Sequence, residues 1–119
     1  MGKRNLSDSD YRLMNLVWEY GPIRSGELVK LCAEKNRWEK STTYTMIKKL
    51  SQKGFLENQN SVVKPLIPKS DVQKCESRRV LQKIFDNSLP RFVSAFLNDG
   101  NLSRKEADEI IQMLRQYQE

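Results

Sequence analysis

Hydrophobic residues recur at helical spacing in three successive segments of the first half of the chain. They predict helices over about residues 7–20, 25–34 and 38–54. Ser7 is suited to cap the first helix, and Gly21-Pro22 ends it. Between the first two helices, Ile23-Arg24 forms an extended link that would supply a short strand to a sheet.

The third predicted helix, from Trp38 to Gly54, has two unlike faces. Its apolar stripe is formed by Met46, Ile47 and Leu50. Its other positions carry hydrogen-bond donors, which are Ser41, Thr42, Tyr44, Thr45, Lys48, Lys49 and Gln52. Ser41 or Thr42 is expected to cap the first turn. A helix of this kind suits the major groove of DNA, although an ordinary solvated amphipathic helix has the same pattern.

After Gly54 the pattern changes from helical to extended. Residues 55–57 and 62–67 predict two short strands, and the turn-rich residues 58–61 connect them into a hairpin. Pro65 cannot donate a backbone hydrogen bond, so the second strand is expected at a sheet edge. A hairpin directly after a DNA-reading helix is a wing.

Three further amphipathic segments follow a boundary at residues 68–70. Ser70 is expected to cap a helix over about residues 71–86, and Pro90 fits the first turn of a short helix that ends near Leu97. Ser103 and Glu106 form a capping box at the start of the last helix.

The element order predicts a mainly α fold with a small β-hairpin. A winged helix-turn-helix domain over residues 1–69 would precede a three-helix dimerisation region over residues 70–119. The C-terminal helices have too little sequence-local surface to bury five apolar residues together, namely Phe92, Phe96, Ile110, Ile111 and Leu114. Pairing of two chains would bury them. The alternative is a monomer in which these helices pack back on the N-terminal domain.

The charge is concentrated around the third helix. The chain has 21 Lys and Arg against 15 Asp and Glu, a net charge of +6. Residues 35–53 contain six basic residues and one acid, whereas residues 98–119 contain three basic residues and five acids. This distribution favours nucleic acid or an anionic surface as the partner of the first half.

The same composition leaves no recognisable catalytic or metal site. The chain has no histidine, and Cys32 and Cys75 have no C-x-x-C spacing, so we expect no enzyme activity, cofactor or metal. Both cysteines lie among helical apolar positions and are expected in the core. The lack of a signal peptide and of a long apolar run predicts a cytoplasmic protein without membrane insertion.

The candidate DNA contacts divide into two groups. Lysines would attract phosphates in a salt-dependent way, and these are Lys40, Lys48, Lys49 and Lys53 on the helix and Lys64 on the wing. Ser41, Thr42, Tyr44 and Thr45 are the candidates for contacts with base edges.

Several of these segments resemble one known family. The resemblance is carried by Leu6-Ser7-Asp8-Ser9-Asp10, Val17-Trp18-Glu19, Gly21-Pro22-Ile23, Trp38, Lys40-Ser41-Thr42-Thr43-Tyr44-Thr45, Lys53-Gly54-Phe55-Leu56-Glu57, Glu76-Ser77, Ser88-Leu89, Phe92 and Leu102-Ser103. With these residues, nearly the whole chain resembles the penicillinase-repressor type of regulators, the BlaI/MecI/CopY family. The resemblance implies a homodimeric winged-helix repressor that binds a palindromic operator through the helix matching Thr42 to Lys53.

The resemblance also implies release from DNA by proteolysis in the C-terminal part or by metal binding. The family's cleaved bond is typically Asn-Phe, whereas the matching place here is Ala95-Phe96. Either the regulatory protease has a different specificity or this protein is not switched in that way. Metal-responsive members carry paired C-x-C motifs at the C-terminus, which this sequence lacks. The alternative function is a winged-helix protein-interaction module without specific DNA binding.

Overall fold

A computed structural model describes residues 5–117 of the chain. Its elements are α1 (Asp8–Tyr20), β1 (Ile23–Arg24), α2 (Ser25–Asn36), α3 (Lys40–Gln52), β2 (Leu56–Gln59), β3 (Val62–Pro65), α4 (Lys69–Ile84), α5 (Leu89–Asn98) and α6 (Arg104–Gln116). The mainly helical fold with a small sheet is confirmed. The order of three helices and a hairpin is that of a winged helix-turn-helix.

The helix caps follow the predictions in α1 and α6 but not in α3 and α4. Ser7 caps α1 in a capping box with Asp10, and Ser103 caps α6 with Glu106. The prediction for α3 was wrong, since Glu39 is its N-cap residue and Ser41 and Thr42 already lie inside the helix. Likewise α4 begins at Lys69, so that Ser70 belongs to its first turn.

The C-terminus of α3 turns sharply into the sheet at Gly54. The Gly54 amide donates to the Ser51 carbonyl at 3.1 Å, and the Phe55 amide donates to the Leu50 carbonyl at 3.0 Å. Gly54 has φ = 86°, a left-handed conformation that only glycine adopts without cost. These paired bonds are those of a Schellman motif, and they direct Phe55 into the core.

The sheet has three antiparallel strands in the order β1-β3-β2. The prediction of an edge position for the Pro65 strand was therefore wrong, because β3 is central. Pro65 is tolerated because it ends β3 opposite Leu56, while β1 pairs only with Val62 and Val63. A two-residue turn, Asn60-Ser61, joins β2 to β3 with φ of 55° and 62°, as in a type I′ hairpin.

The hydrophobic core joins all three N-terminal helices to the sheet. Its fully buried members include Leu13, Met14, Val17, Leu28, Leu50, Phe55, Leu56 and Val63. Cys32 is buried there as predicted, but Cys75 is exposed on α4, so the core prediction for that cysteine was wrong. Both are free thiols.

The chain divides into two compact units, Met1–Gln73 and Lys74–Glu119. The first turns of α4 belong to the first unit. The Trp18 indole donates to the Ile67 carbonyl at 2.9 Å, Lys69 Nζ lies 5.9 Å from the centre of the Trp18 ring, and Val72 is buried.

The second unit contains the rest of α4 together with α5 and α6. Phe92 contacts Phe85 edge to face with ring centres 5.3 Å apart, and Phe96 follows at 6.3 Å from Phe92. Arg91 Nη1 lies 2.8 Å from Asp86 Oδ2 at the α4–α5 connection. No hydrophobic residue between 74 and 117 is fully buried.

Candidate nucleic-acid interface

The helix α3 is fixed by the side that it turns toward the core. Ile47 and Leu50 are buried there, and Met46 packs against them from the edge. Thr43 is also fully buried, a position that the hydrophobic pattern did not reveal. Its hydroxyl donates to the Glu39 carbonyl at 3.4 Å, so a polar side chain is accommodated inside.

Trp38 lies at the entrance to α3 and is partly buried against the core. Its backbone amide donates to the Cys32 carbonyl at 3.2 Å. Between α2 and α3, Arg37 adopts a left-handed conformation with φ = 58°, which reverses the chain within three residues. The short turn and the Trp38 anchor together set the direction of α3.

Four exposed residues lie on the side of α3 opposite the core. Their spacing of i, i+4, i+7 and i+11 places Ser41, Thr45, Lys48 and Gln52 along one stripe. The stripe contains two hydroxyls, an ammonium group and an amide, and all four side chains are exposed. Ser41, Thr45 and Lys48 are thus the predicted DNA contacts that the fold exposes most directly. Gln52 lies on the same stripe, although it is not among the predicted contacts.

The other predicted contacts flank this stripe on its two sides. Tyr44 is 37% exposed, and its hydroxyl lies 3.4 Å from the Ser25 hydroxyl at the start of α2. Lys40 is one turn before Tyr44 and lies on the same flank. Thr42 lies on the opposite flank, seven residues before Lys49. The ring of Tyr44 is therefore partly held by α2 while its remaining surface stays accessible.

Lys49 and Lys53 both contact a buried carboxylate on α1. Lys49 Nζ lies 3.2 Å from Asp10 Oδ1, an ion pair without good hydrogen-bond alignment. Lys53 Nζ lies 3.2 Å from Asp10 Oδ2 and 3.0 Å from the Asn5 carbonyl. The Asp10 side chain is completely buried, whereas those of Lys49 and Lys53 are 44% and 28% exposed.

Asp10 remains a carboxylate despite its burial. Burial raises the pKa of Asp10, but the hydrogen bond from the Ser7 amide and the ammonium groups of Lys49 and Lys53 together outweigh it and lower the pKa. The Ser7 amide donates to Oδ2 at 2.9 Å. One negative charge therefore offsets part of the positive charge on the C-terminal half of α3.

The wing carries little net positive charge. Lys64 Nζ lies 3.5 Å from the carboxylate of Glu57, which stands directly opposite in the strand register. The wing is tied to the helices at its turn, because the Ser25 amide donates to the Ser61 carbonyl at 2.8 Å. Lys64 is thus half-exposed but paired with an acid.

The residues predicted for dimerisation are all exposed in the second unit. Phe92 is 36% exposed, Phe96 49%, Ile110 and Ile111 45% each, and Leu114 65%. Among residues 5–117, twelve of the fifteen large exposed hydrophobic residues lie after Gln73. The apolar surface of the described chain is therefore concentrated on the second unit.

The described residues contain no group of three or more potential metal-binding side chains. Among residues 5–117, none of the helices combines the length and the apolar character that crossing a bilayer requires.

Comparison with known proteins assigns the family. The model of the penicillinase repressor family matches residues 6–116. The chain belongs to the penicillinase repressor family. Members of this family are winged-helix DNA-binding transcription regulators and not enzymes. The chain is therefore a regulator of this kind.

Two relatives and one solved structure show the extent of the similarity. The penicillinase repressor of Bacillus licheniformis is 28% identical over 116 residues, which cover 94% of this chain and 91% of the relative. The methicillin resistance regulatory protein MecI of Staphylococcus aureus is 22% identical over 113 residues, or 92% of each chain. A solution structure of monomeric BlaI from Bacillus licheniformis with the blaP half-operator matches 56% of this chain and 87% of its own, at 28% identity and a TM-score of 0.49.

Proposed function

We propose that this regulator represses transcription as a homodimer that binds a palindromic operator, with α3 of each protomer in the major groove. The supporting observation is the exposed stripe of Ser41, Thr45, Lys48 and Gln52 on a helix whose other side is anchored in the core. Hydroxyl, amide and ammonium groups on a helix held in this way reach the edges of base pairs in the major groove. Since DNA is the ligand, the proposed location is the cytoplasm.

The predicted contacts contribute in different ways under this proposal. Ser41 and Thr45 face outward and are assigned to base edges, with Thr42 and Tyr44 contacting the groove from the two flanks. Lys40 and Lys48 have no carboxylate partner among the ion pairs of the described residues, so they supply most of the phosphate attraction. Lys49 and Lys64 contribute less because Asp10 and Glu57 partly neutralise them.

The homodimer is proposed because the second unit lacks a core of its own. Twelve large apolar side chains of the described part of this unit are between 36% and 68% exposed, an apolar surface that stable isolated domains rarely carry. A second copy offers the same amphipathic helices, and a two-fold axis would bury both stripes at once. Such a dimer would present two α3 helices to half-sites about 34–36 Å apart.

Selection of bound sequences from random duplex DNA tests this proposal. The purified protein is expected to enrich a motif with two-fold symmetry and half-sites about 10 base pairs apart. A single unrepeated half-site would contradict the dimer. Failure to enrich any sequence, with an affinity that does not depend on salt, would favour the protein-interaction module instead.

A regulatory protease that acts near Ala95-Phe96 is a further part of the proposal. The bond lies inside α5 with both side chains exposed, on a unit without a buried core. Such a helix opens locally at low cost, as a protease requires. Cleavage there would separate α6 from the rest of the dimerisation surface.

Mass spectrometry of the repressor recovered from its host, before and after derepression, would detect a fragment that ends at Ala95. Recovery of only the intact chain after derepression would contradict this switch.

A further inference from the structure

The Asp10 carboxylate lies on α1, yet it contacts two lysines of the DNA-reading helix. Lys49 lies in the last turn of α3 and Lys53 is its C-cap residue, and each ammonium group lies 3.2 Å from one oxygen of this carboxylate. Asp10 has no solvent exposure, so it cannot exchange these partners for water. The arrangement joins the start of α1 to the last turns of α3.

We propose that Asp10 is a positioning residue that withholds Lys49 and Lys53 from DNA phosphates and thereby limits binding to non-operator sequences. This inference rests on the proposed function, because it concerns the same helix and the same ligand. Asp10 itself does not contact DNA. It acts by fixing where the two ammonium groups lie.

The energetic basis is the cost of a buried charge without a partner. If both lysines moved to phosphates, the Asp10 carboxylate would remain desolvated, and the Ser7 amide would be its one remaining donor among the described residues. A lysine–phosphate contact at the surface is screened by salt and gains comparatively little. The lysines therefore stay with Asp10 in the bound state.

The consequence concerns specificity rather than affinity alone. Lysine–phosphate contacts strengthen binding to every DNA sequence equally, because they carry no base information. Residues 35–53 carry six basic residues on and around α3, and an unrestrained set would favour non-specific binding. Asp10 removes two of these lysines from the phosphate contacts and leaves Lys40 and Lys48 available.

The test measures how the affinity for a mixed-sequence DNA duplex changes with salt concentration. The slope of log K against log salt is negative, and each lysine–phosphate contact contributes about −0.9 to it. Lys48→Gln is the matched control, because Lys48 is on the same helix and faces outward, and this substitution should make the slope shallower by about 0.9. Lys49→Gln and Lys53→Gln should each change the slope far less.

Asp10→Asn gives the opposite expectation. The amide can still accept the Ser7 hydrogen bond, but it no longer holds the two ammonium groups by charge. The slope should become steeper by about 1–2, and affinity for the mixed-sequence duplex should rise several-fold at low salt. The triple variant Asp10→Asn/Lys49→Gln/Lys53→Gln should return the slope to that of the parent protein.

The outcomes separate this inference from the proposed function. If the parent protein shows no salt-dependent binding, the DNA-binding proposal fails. If Lys48→Gln behaves as expected but Lys49→Gln and Lys53→Gln make the slope shallower by the same amount, the Asp10 inference fails and DNA binding stands. The lysine variants still distinguish these outcomes even if Asp10→Asn does not fold. A purely structural role for Asp10 would lower stability without steepening the slope.

Discussion

Truncation of Leu114 to alanine is the most direct test of the dimer. Leu114 is 65% exposed on α6 of the second unit, and a second copy is proposed to cover it. Alanine has a higher helix propensity than leucine, so α6 itself should persist. The substitution therefore removes apolar contact area between protomers and leaves each protomer folded.

The magnitude follows from the exposed fraction. Complete burial of a leucine side chain is worth about 1.5–3 kcal/mol, so covering the exposed 65% is worth about 1–2 kcal/mol in each protomer. A two-fold interface contains the residue twice, which gives about 2–4 kcal/mol per dimer. The dimer dissociation constant should rise by roughly 30- to 700-fold.

Sedimentation velocity over a range of protein concentrations measures that constant, and far-UV circular dichroism checks the helix content. Leu66→Ala is the matched control, since Leu66 is 49% exposed but belongs to the first unit. It should leave the dimer unchanged. An equal effect of both substitutions, or none for Leu114→Ala in a protein that dimerises, would refute the assignment of this surface.

Three further predictions concern the DNA-reading helix and its anchor. Tyr44→Ala should weaken operator binding by about 1–3 kcal/mol if the ring contacts a base, and a gel-shift titration that finds equal loss on random DNA would assign it to positioning alone. Gly54→Ala should destabilise the first unit by about 1–2 kcal/mol, because Gly54 has a positive φ. Gly26→Ala is the control and should be neutral or stabilising, because a Cβ added there meets no atom within 4 Å. Urea unfolding followed by the fluorescence of Trp18 and Trp38 measures both effects. The folded-state pKa of Asp10 lies below its ordinary value of 3.8, so its contribution to folding is complete above pH 3.8 and is lost as pH falls through the lowered pKa. The difference in unfolding free energy between the parent protein and Asp10→Asn should therefore shrink in this acid range. A constant difference would contradict the stabilising role of the Asp10 carboxylate.

The sequence determined the elements of this protein because they depend on local patterns. Helical spacing identified the six helices of the described residues, and the Ser7 cap and the Ser103 capping box appear as predicted because their partners are three residues away. The prediction of the N-cap residue failed for α3. Ser41 and Thr42 both looked like caps for α3, but the helix begins earlier, at Lys40.

The sheet order could not be read from Pro65 alone. The missing amide excludes a ladder bond only at that position, and β1 is too short to reach it. The position of β3 in the centre follows from the packing of the Ile23-Arg24 strand against the hairpin. This pairing joins residues about forty positions apart, which no local pattern specifies.

The division of the α3 lysines was also a tertiary result. Sequence composition placed Lys40, Lys48 and Lys49 together as equivalent charges, because charge counting has no direction. The fold separates them by bringing Asp10, from the start of α1, under Lys49 and Lys53. Periodicity shows which side of a helix is apolar, but only packing between distant segments decides which charged groups meet a buried partner. The sequence thus determined that the chain contains a basic helix of a DNA-binding type, and the tertiary structure decided which of its lysines pair with a buried carboxylate.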